Sequence, residues 1–179
     1  MNLIEMGYHN AVITPSDINA HIPVLHEYAK RCRHITEFGV RNGVSTMAFL
    51  SANPERLVSY DLFRDANVTM AFEEARELGK NYSYLIEDVL KADIEETDLL
   101  FIDTFHSEIQ LSQELNLHSR KARRYLIFHD VETYGWVGED GKNGILRVLI
   151  EFLTFNHYWH PVYYTRINNG LLILGRNYD

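Results

Sequence analysis

Short apolar runs that finish on acidic residues, alternating with amphipathic stretches, govern what this chain can fold into. Leu57-Val58-Ser59-Tyr60-Asp61-Leu62, Tyr82 to Ile86 followed by Glu87-Asp88, and Leu99-Leu100-Phe101-Ile102-Asp103 are three of these runs. Tyr125-Leu126-Ile127-Phe128-His129-Asp130 is a fourth, and His34 to Val40, with Glu37 and Gly39 inside it, comes before them all. Leu99–Ile102 and Tyr125–Phe128 show no polar alternation, the signature of strands covered on both faces. Helical spacing fills the intervals. The sequence predicts helices over 16–31, with Ser16 as N-cap and Ile18, Ile22, Leu25 and Ala29 inward, and over 44–52, stopped by Asn53-Pro54. Three more are predicted: 67–78 with Val68, Ala71, Phe72, Ala75 and Leu78 on one face, a helix after Asp103 running to about 121, and 145–155.

The ending breaks this rhythm. Tyr158 to Ile167 and Leu171 to Gly175 are joined by Asn168-Asn169-Gly170, and Asn-Gly is a strong short-range hairpin signal. Five strand–helix units imply a parallel sheet with right-handed crossovers, to which the hairpin adds an antiparallel pair. The expected fold is α/β: a doubly wound, mostly parallel seven-stranded sheet with helices on both faces and a C-terminal β-hairpin. A chain of 179 residues fits one domain, a helical segment over 1–33 followed by a core over 34–175.

Composition narrows the function classes. Hydrophobic residues at 46% and charged residues at 23% are ordinary for a globular chain, which excludes a disordered or coiled-coil reading. The single Cys32 excludes an internal disulfide and a multi-cysteine zinc site. Seventeen basic against 25 acidic residues give a net charge of −8, so the broad cationic surface of a nucleic-acid binder is missing. The local run Arg120-Lys121-Ala122-Arg123-Arg124 reads as a solvated helix end. No apolar stretch approaches the ~18 residues of a membrane span, and Met1-Asn2-Leu3-Ile4-Glu5 lacks a signal-peptide pattern, so a cytoplasmic location is expected.

Ligands of open parallel sheets bind beyond the carboxyl ends of the strands. Here those ends carry Glu37 and Gly39, then Asp61, Asp88, Asp103, and His129-Asp130. Capping explains one acid at a strand tip, but five on one rim would repel unless cationic or hydroxyl-rich ligands sat among them. Gly39 lets a ligand approach the backbone, and Gly43 opens the next helix. Asp61 stands 22 residues beyond Gly39, the usual reach for a carboxylate that accepts from ribose hydroxyls. Arg41 occupies the middle glycine position of a G-x-G-x-x-G dinucleotide loop, which disfavours a pyrophosphate there.

These residues carry a resemblance. Glu37 to Thr46 resembles motif I of the class I S-adenosylmethionine-dependent methyltransferases, whose Rossmann-like sheet also closes on an antiparallel hairpin. Phe101-Ile102-Asp103-x-x-His106 and Phe128-His129-Asp130 resemble the small-molecule O-methyltransferase branch, which includes sugar- and antibiotic-tailoring enzymes. The resemblance implies that Glu37, Gly39, Gly43 and Ser45 hold the methionine part of S-adenosylmethionine. Asp61 would hold its ribose and Asp88 its adenosine side, with Asp103 bordering the cofactor. It also implies that Asp103 and Asp130 coordinate a divalent cation such as Mg²⁺ beside the acceptor hydroxyl. Without a metal, His106 or His129 serves as general base.

The implied reaction is methyl transfer to a small acceptor, a hydroxyl of a sugar or related metabolite, and Tyr134 and Trp136 lie where that acceptor would dock. Neither nucleic acid nor membrane is expected as a partner, whereas a homo-oligomer could complete the acceptor pocket. The rival from another class is a module of the same fold that binds the nucleoside, or a protein, without turnover. An NAD-dependent enzyme ranks below both.

Overall fold

The computed structural model describes residues 2–177 and divides into two compact units, Met1–Ala92 and Asp93–Asp179. In the first unit, helix α1 (Leu3–Ile13) opens with a capping box in which Asn2 and Glu5 satisfy each other's backbone amides. A 3₁₀ turn (Asn19–His21) and helix α2 (Ile22–Ala29) stand where one helix is expected over 16–31. Pro23 is the physical reason for the break: lacking an N–H, it fits only the first turn of a helix. Ser16 still caps, its Oγ accepting from Ile18 N and Asn19 N. Ile18, Ile22, Leu25 and Ala29 are buried, as their spacing requires.

Strands β1 (His34–Phe38), β2 (Arg56–Asp61) and β3 (Asn81–Ile86) pair in parallel. They are linked by α3 (Val44–Ala52) and α4 (Ala66–Glu77). Asn53 ends α3 in the left-handed region at φ 57°, which asparagine tolerates. Val68, Ala71, Phe72 and Ala75 of α4 are buried, but Leu78 lies past the helix end and is exposed.

In the second unit β4 (Thr97–Ile102) pairs in parallel with β5 (Ala122–His129), joined by α5 (Glu108–His118). Helix α6 (Ile145–Phe155) then leads to β6 (Trp159–Thr165) and β7 (Leu171–Arg176), an antiparallel hairpin whose β7 also pairs with β5. Asn168, Asn169 and Gly170 all have positive φ, the reason an Asn-Gly turn forms here. The basic run is a helix end only at Arg120 and Lys121. It crosses a 3₁₀ turn (Ser119–Lys121) and the start of β5, with Lys121 paired to Asp93 and Arg123 to Glu96.

The seven-stranded mixed sheet runs β3-β2-β1-β4-β5-β7-β6 and is flanked by helices. One expected unit is incomplete: residues 87–96 contain a turn and no helix. No helix among the described residues is long and apolar enough to cross a membrane.

Candidate functional site

In the first unit, strand β1 delivers Glu37 into a fully buried position. A carboxylate there needs donors, and three hydroxyls supply them. Ser45 Oγ donates to Oε1 at 2.7 Å, Ser59 Oγ to Oε2 at 2.6 Å, and Thr46 Oγ1 lies 3.0 Å from both oxygens. Glu37 and Ser45 are therefore turned toward each other. Gly43 is a packing residue as well, since a Cβ there would stand 2.5 Å from Val68 Cγ2.

Asp61, at the end of β2, anchors the β1–α3 loop. Its Oδ2 accepts from Val40 N and Arg41 N, both at 2.8 Å, and its Oδ1 from Phe63 N at 2.9 Å. A carboxylate has about four lone-pair sites, so the half-exposed Asp61 retains acceptor capacity for a ligand hydroxyl. Gly39, at φ 83°, lies beside this loop, and Leu62 and Phe63 are exposed immediately after Asp61. Arg41 takes φ 48° and turns its guanidinium to Asp17, 2.8 Å away. A carboxylate with spare lone pairs, a bare glycine turn and exposed apolar side chains fit a nucleoside. Asp88 is engaged locally: Lys91 lies 3.0 Å away and Leu90 N donates to Oδ1, and these bonds hold its carboxyl below the usual range.

The second unit gathers a cluster of carboxylates and imidazoles. Asp103 follows β4, His129 ends β5, and Asp130 continues in the left-handed region at φ 60°. His129 Nδ1 lies 3.2 Å from Asp103 and 3.5 Å from Asp130, while its Nε2 meets the Asn168 carbonyl at 3.0 Å. His106 Nε2 lies 3.2 Å from Asp103 and 3.4 Å from Asp130, its Nδ1 lies 2.6 Å from Glu139, and its ring stacks on Tyr134. Both nitrogens of each ring thus face acceptors, an arrangement that favours the doubly protonated imidazolium, although His106 Nε2 meets its carboxylates by proximity and not in a well-aligned hydrogen bond.

The titration directions agree with this geometry. Burial opposes the charge on His106, but the hydrogen bond and charge of Asp103, with Asp130 and Glu139, lift its pKa to about 9. His129 is raised by the same balance of burial against Asp103 and Asp130. Burial would raise Asp103, yet the bonds from His106 and His129 hold it well below the usual carboxylate range. Burial prevails at Asp130, which is raised despite both imidazoles.

Asp103, His129 and Asp130 bring one ligand atom each within 4.8 Å of the others. Asp130 Oδ1 is buried with no hydrogen-bond partner among the described residues. The two carboxylates, with one buried oxygen unspent, fit a divalent cation by donor type, and His129 would join them only on giving up a proton.

Sequence reasoning did not find Glu139 or the Asn168 carbonyl. Glu139 reaches His106 because the glycine-spaced segment after β5 forms a small hairpin, with Val137 bridged to Asn143 and Glu139 N donating to His106 O. Tyr134, expected at an acceptor, is occupied by His106.

No family model matches the sequence, and no curated protein is similar to it. Solved structures match over nearly full length. The N-methyltransferase NodS from Bradyrhizobium japonicum WM9, in complex with S-adenosylhomocysteine, covers 100% of both chains with TM-score 0.67 and 14% identity. The O-methyltransferase TomG from Streptomyces achromogenes, involved in tomaymycin synthesis and in complex with S-adenosylmethionine, matches 99% of this chain and 91% of its own. Its TM-score is 0.66 and its identity 17%. An O-methyltransferase from Bacillus cereus, in complex with S-adenosylhomocysteine, matches 98% and 89% at TM-score 0.65 and 16% identity. The chain therefore shares the Rossmann-like fold of the class I S-adenosylmethionine-dependent methyltransferases.

Proposed function

We propose that this chain is an enzyme that transfers a methyl group from S-adenosylmethionine to a small-molecule acceptor, at a hydroxyl of a sugar or related metabolite. The observation that carries this reading is a fold shared end to end with methyltransferases that bind S-adenosylmethionine or its demethylated product. When bound, S-adenosylmethionine supplies a methyl carbon made electrophilic by its positively charged sulfur.

The chain's own residues divide the remaining work. Gly39 gives backbone access, Asp61 accepts from the ribose, and Asp88 borders the adenosine side. Glu37, Gly43 and Ser45 act by holding the β1–α3 loop in shape. Asp103 is the proton acceptor: it is ionised, and it is the most exposed side chain of the Asp103, His106, His129 and Asp130 quartet. A weak base suffices because the acceptor's O–H proton becomes strongly acidic as the carbon–oxygen bond forms and the carbon–sulfur bond breaks. His106 and His129, held protonated, orient Asp103 and offset the negative charge around it. As an alternative to this proton transfer, Asp103 and Asp130 would hold a divalent cation such as Mg²⁺, which would lower the pKa of a bound hydroxyl.

Calorimetry with S-adenosylmethionine, S-adenosylhomocysteine and NAD tests the reading. Heat from the two sulfur nucleosides is expected; silence from both with heat from NAD overturns it. The internal neutralisation of the cluster favours a second reading, a nucleoside-binding module without turnover. Turnover of the parent protein separates the two, since an enzyme forms S-adenosylhomocysteine and loses that activity in Asp103→Asn, whereas a module binds S-adenosylmethionine and forms none.

A further inference from the structure

The hairpin after β5 and the first turns of α6 frame a cleft that this chemistry leaves unused. It encloses about 260 Å³ and is lined by Gly135, Trp136, Asn143, Gly144, Arg147 and Ile150. We propose that this cleft binds a single ring carrying a carboxylate, with the indole of Trp136 as stacking surface and the guanidinium of Arg147 as anion fork. The inference rests on the methyltransferase reading only in taking that ring to be part of the acceptor.

Size sets the first limit. Pockets for drug-sized ligands measure about 300–1,000 Å³, so this smaller cleft takes one ring with its substituents. Trp136 is 74% exposed, although the backbone beneath it is fixed. Its carbonyl accepts from Gly144 N, and Val137 bridges to Asn143. An exposed indole on a pinned backbone is a preformed stacking surface. The glycines hold it there: a Cβ on Gly135 would lie 2.3 Å from Val131 O, and one on Gly144 would lie 2.2 Å from Tyr134 O.

Arg147 supplies the selectivity. Its side chain is 67% exposed, and its Nε stands 3.5 Å from Glu108 Oε1, too long for a strong hydrogen bond. Glu108 is better tied elsewhere, since its Oε2 accepts from Asn143 Nδ2 at 2.7 Å. The guanidinium is therefore loosely held and able to present its planar donors to a carboxylate. A ring face beside a guanidinium recognises an anionic ring and rejects a cationic one.

Tryptophan fluorescence of the full-length, cofactor-free protein reports the cleft directly, because the other tryptophan, Trp159, is buried and provides a steady background. The probes are benzoate, glucuronate, benzyl alcohol and benzyltrimethylammonium. Benzoate or glucuronate is expected to shift the emission saturably, and which of them does so identifies an aromatic or a sugar acid. Trp136→Phe should remove the signal. Arg147→Gln should raise the dissociation constant about tenfold, the loss of one charge-assisted contact. Glu108→Gln, which frees the guanidinium, should not weaken binding. The proposal fails if neither acid binds, if the neutral or cationic ring binds as well as the acids, or if Arg147→Gln binds as the parent does. Calorimetry with S-adenosylmethionine is unaffected by any of these results, so the two readings fail separately.

Discussion

Replacing Glu37 by alanine isolates the role of the most deeply buried acid of the first unit. Its carboxylate is held by three hydroxyls at 2.6–3.0 Å, with no exposed surface. Removing it strands Ser45, Thr46 and Ser59 in the interior and leaves a cavity, while relieving the cost of a buried charge. Breaking a buried charged network from one side typically costs about 3–5 kcal/mol. With a urea slope of about 2 kcal/mol/M, the unfolding midpoint should fall by roughly 2 M. Glu37→Gln keeps the shape and one acceptor, and hydroxyls can rotate to meet an amide, so about 1–2 kcal/mol is expected. Urea unfolding followed by circular dichroism measures both. The second arm is calorimetry on folded Glu37→Gln, whose affinity for S-adenosylmethionine should match the parent's. A loss below 1 kcal/mol in Glu37→Ala, or a large loss of affinity in Glu37→Gln with stability intact, would refute the scaffold role.

Four further outcomes follow from the geometry. Asp61→Ala should weaken S-adenosylmethionine binding by about 1–3 kcal/mol in calorimetry, and unchanged affinity would remove Asp61 from the cofactor. His106 binds its proton more tightly folded than unfolded, with its pKa raised from 6.5 to about 9, so its stabilisation is complete below pH 6.5 and is lost as pH rises through 9. In chelator-treated protein, urea unfolding should show a decline of at most about 3 kcal/mol over that window, largely absent in His106→Gln. Mg²⁺ or Mn²⁺ should raise the melting temperature of the parent and not of Asp130→Asn, and no shift with either ion would exclude a cation from the cluster. Gly170→Ala should destabilise by about 2 kcal/mol or more in urea, because its φ is 91° and a Cβ would stand 2.7 Å from Glu132 N; an unchanged midpoint would refute that strain.

The architecture was legible because its signals are local. Apolar runs without alternation, Pro54 behind Asn53, and Asn168-Asn169-Gly170 each dictate backbone geometry within a few residues. Where expectation and structure part, a competing local rule decided. Pro23 divided the 16–31 helix. Leu78 matched the apolar stripe of α4 but fell past the helix end, where the stripe no longer defines a face.

The strand-tip placement of these acids was legible and their partners were not, since a carboxylate's partners can be distant in sequence. Five acids near strand tips looked like uncompensated charge awaiting a ligand. Glu37 instead meets hydroxyls from α3 and β2, and Asp61 binds the amides of the β1–α3 loop. Asp103 meets His129, 26 residues later. Glu139 closes on His106 across 33 residues. Nothing in a periodicity reports such pairs. They also change the chemistry, because an imidazole that faces carboxylates holds its proton more tightly and is a poorer starting base. Asp103 is left as the ionised, reachable group. On the proposed reading, a cluster organised in this way would remove a proton only from an acceptor atom that is already becoming positive, which is the state a methyl transfer creates.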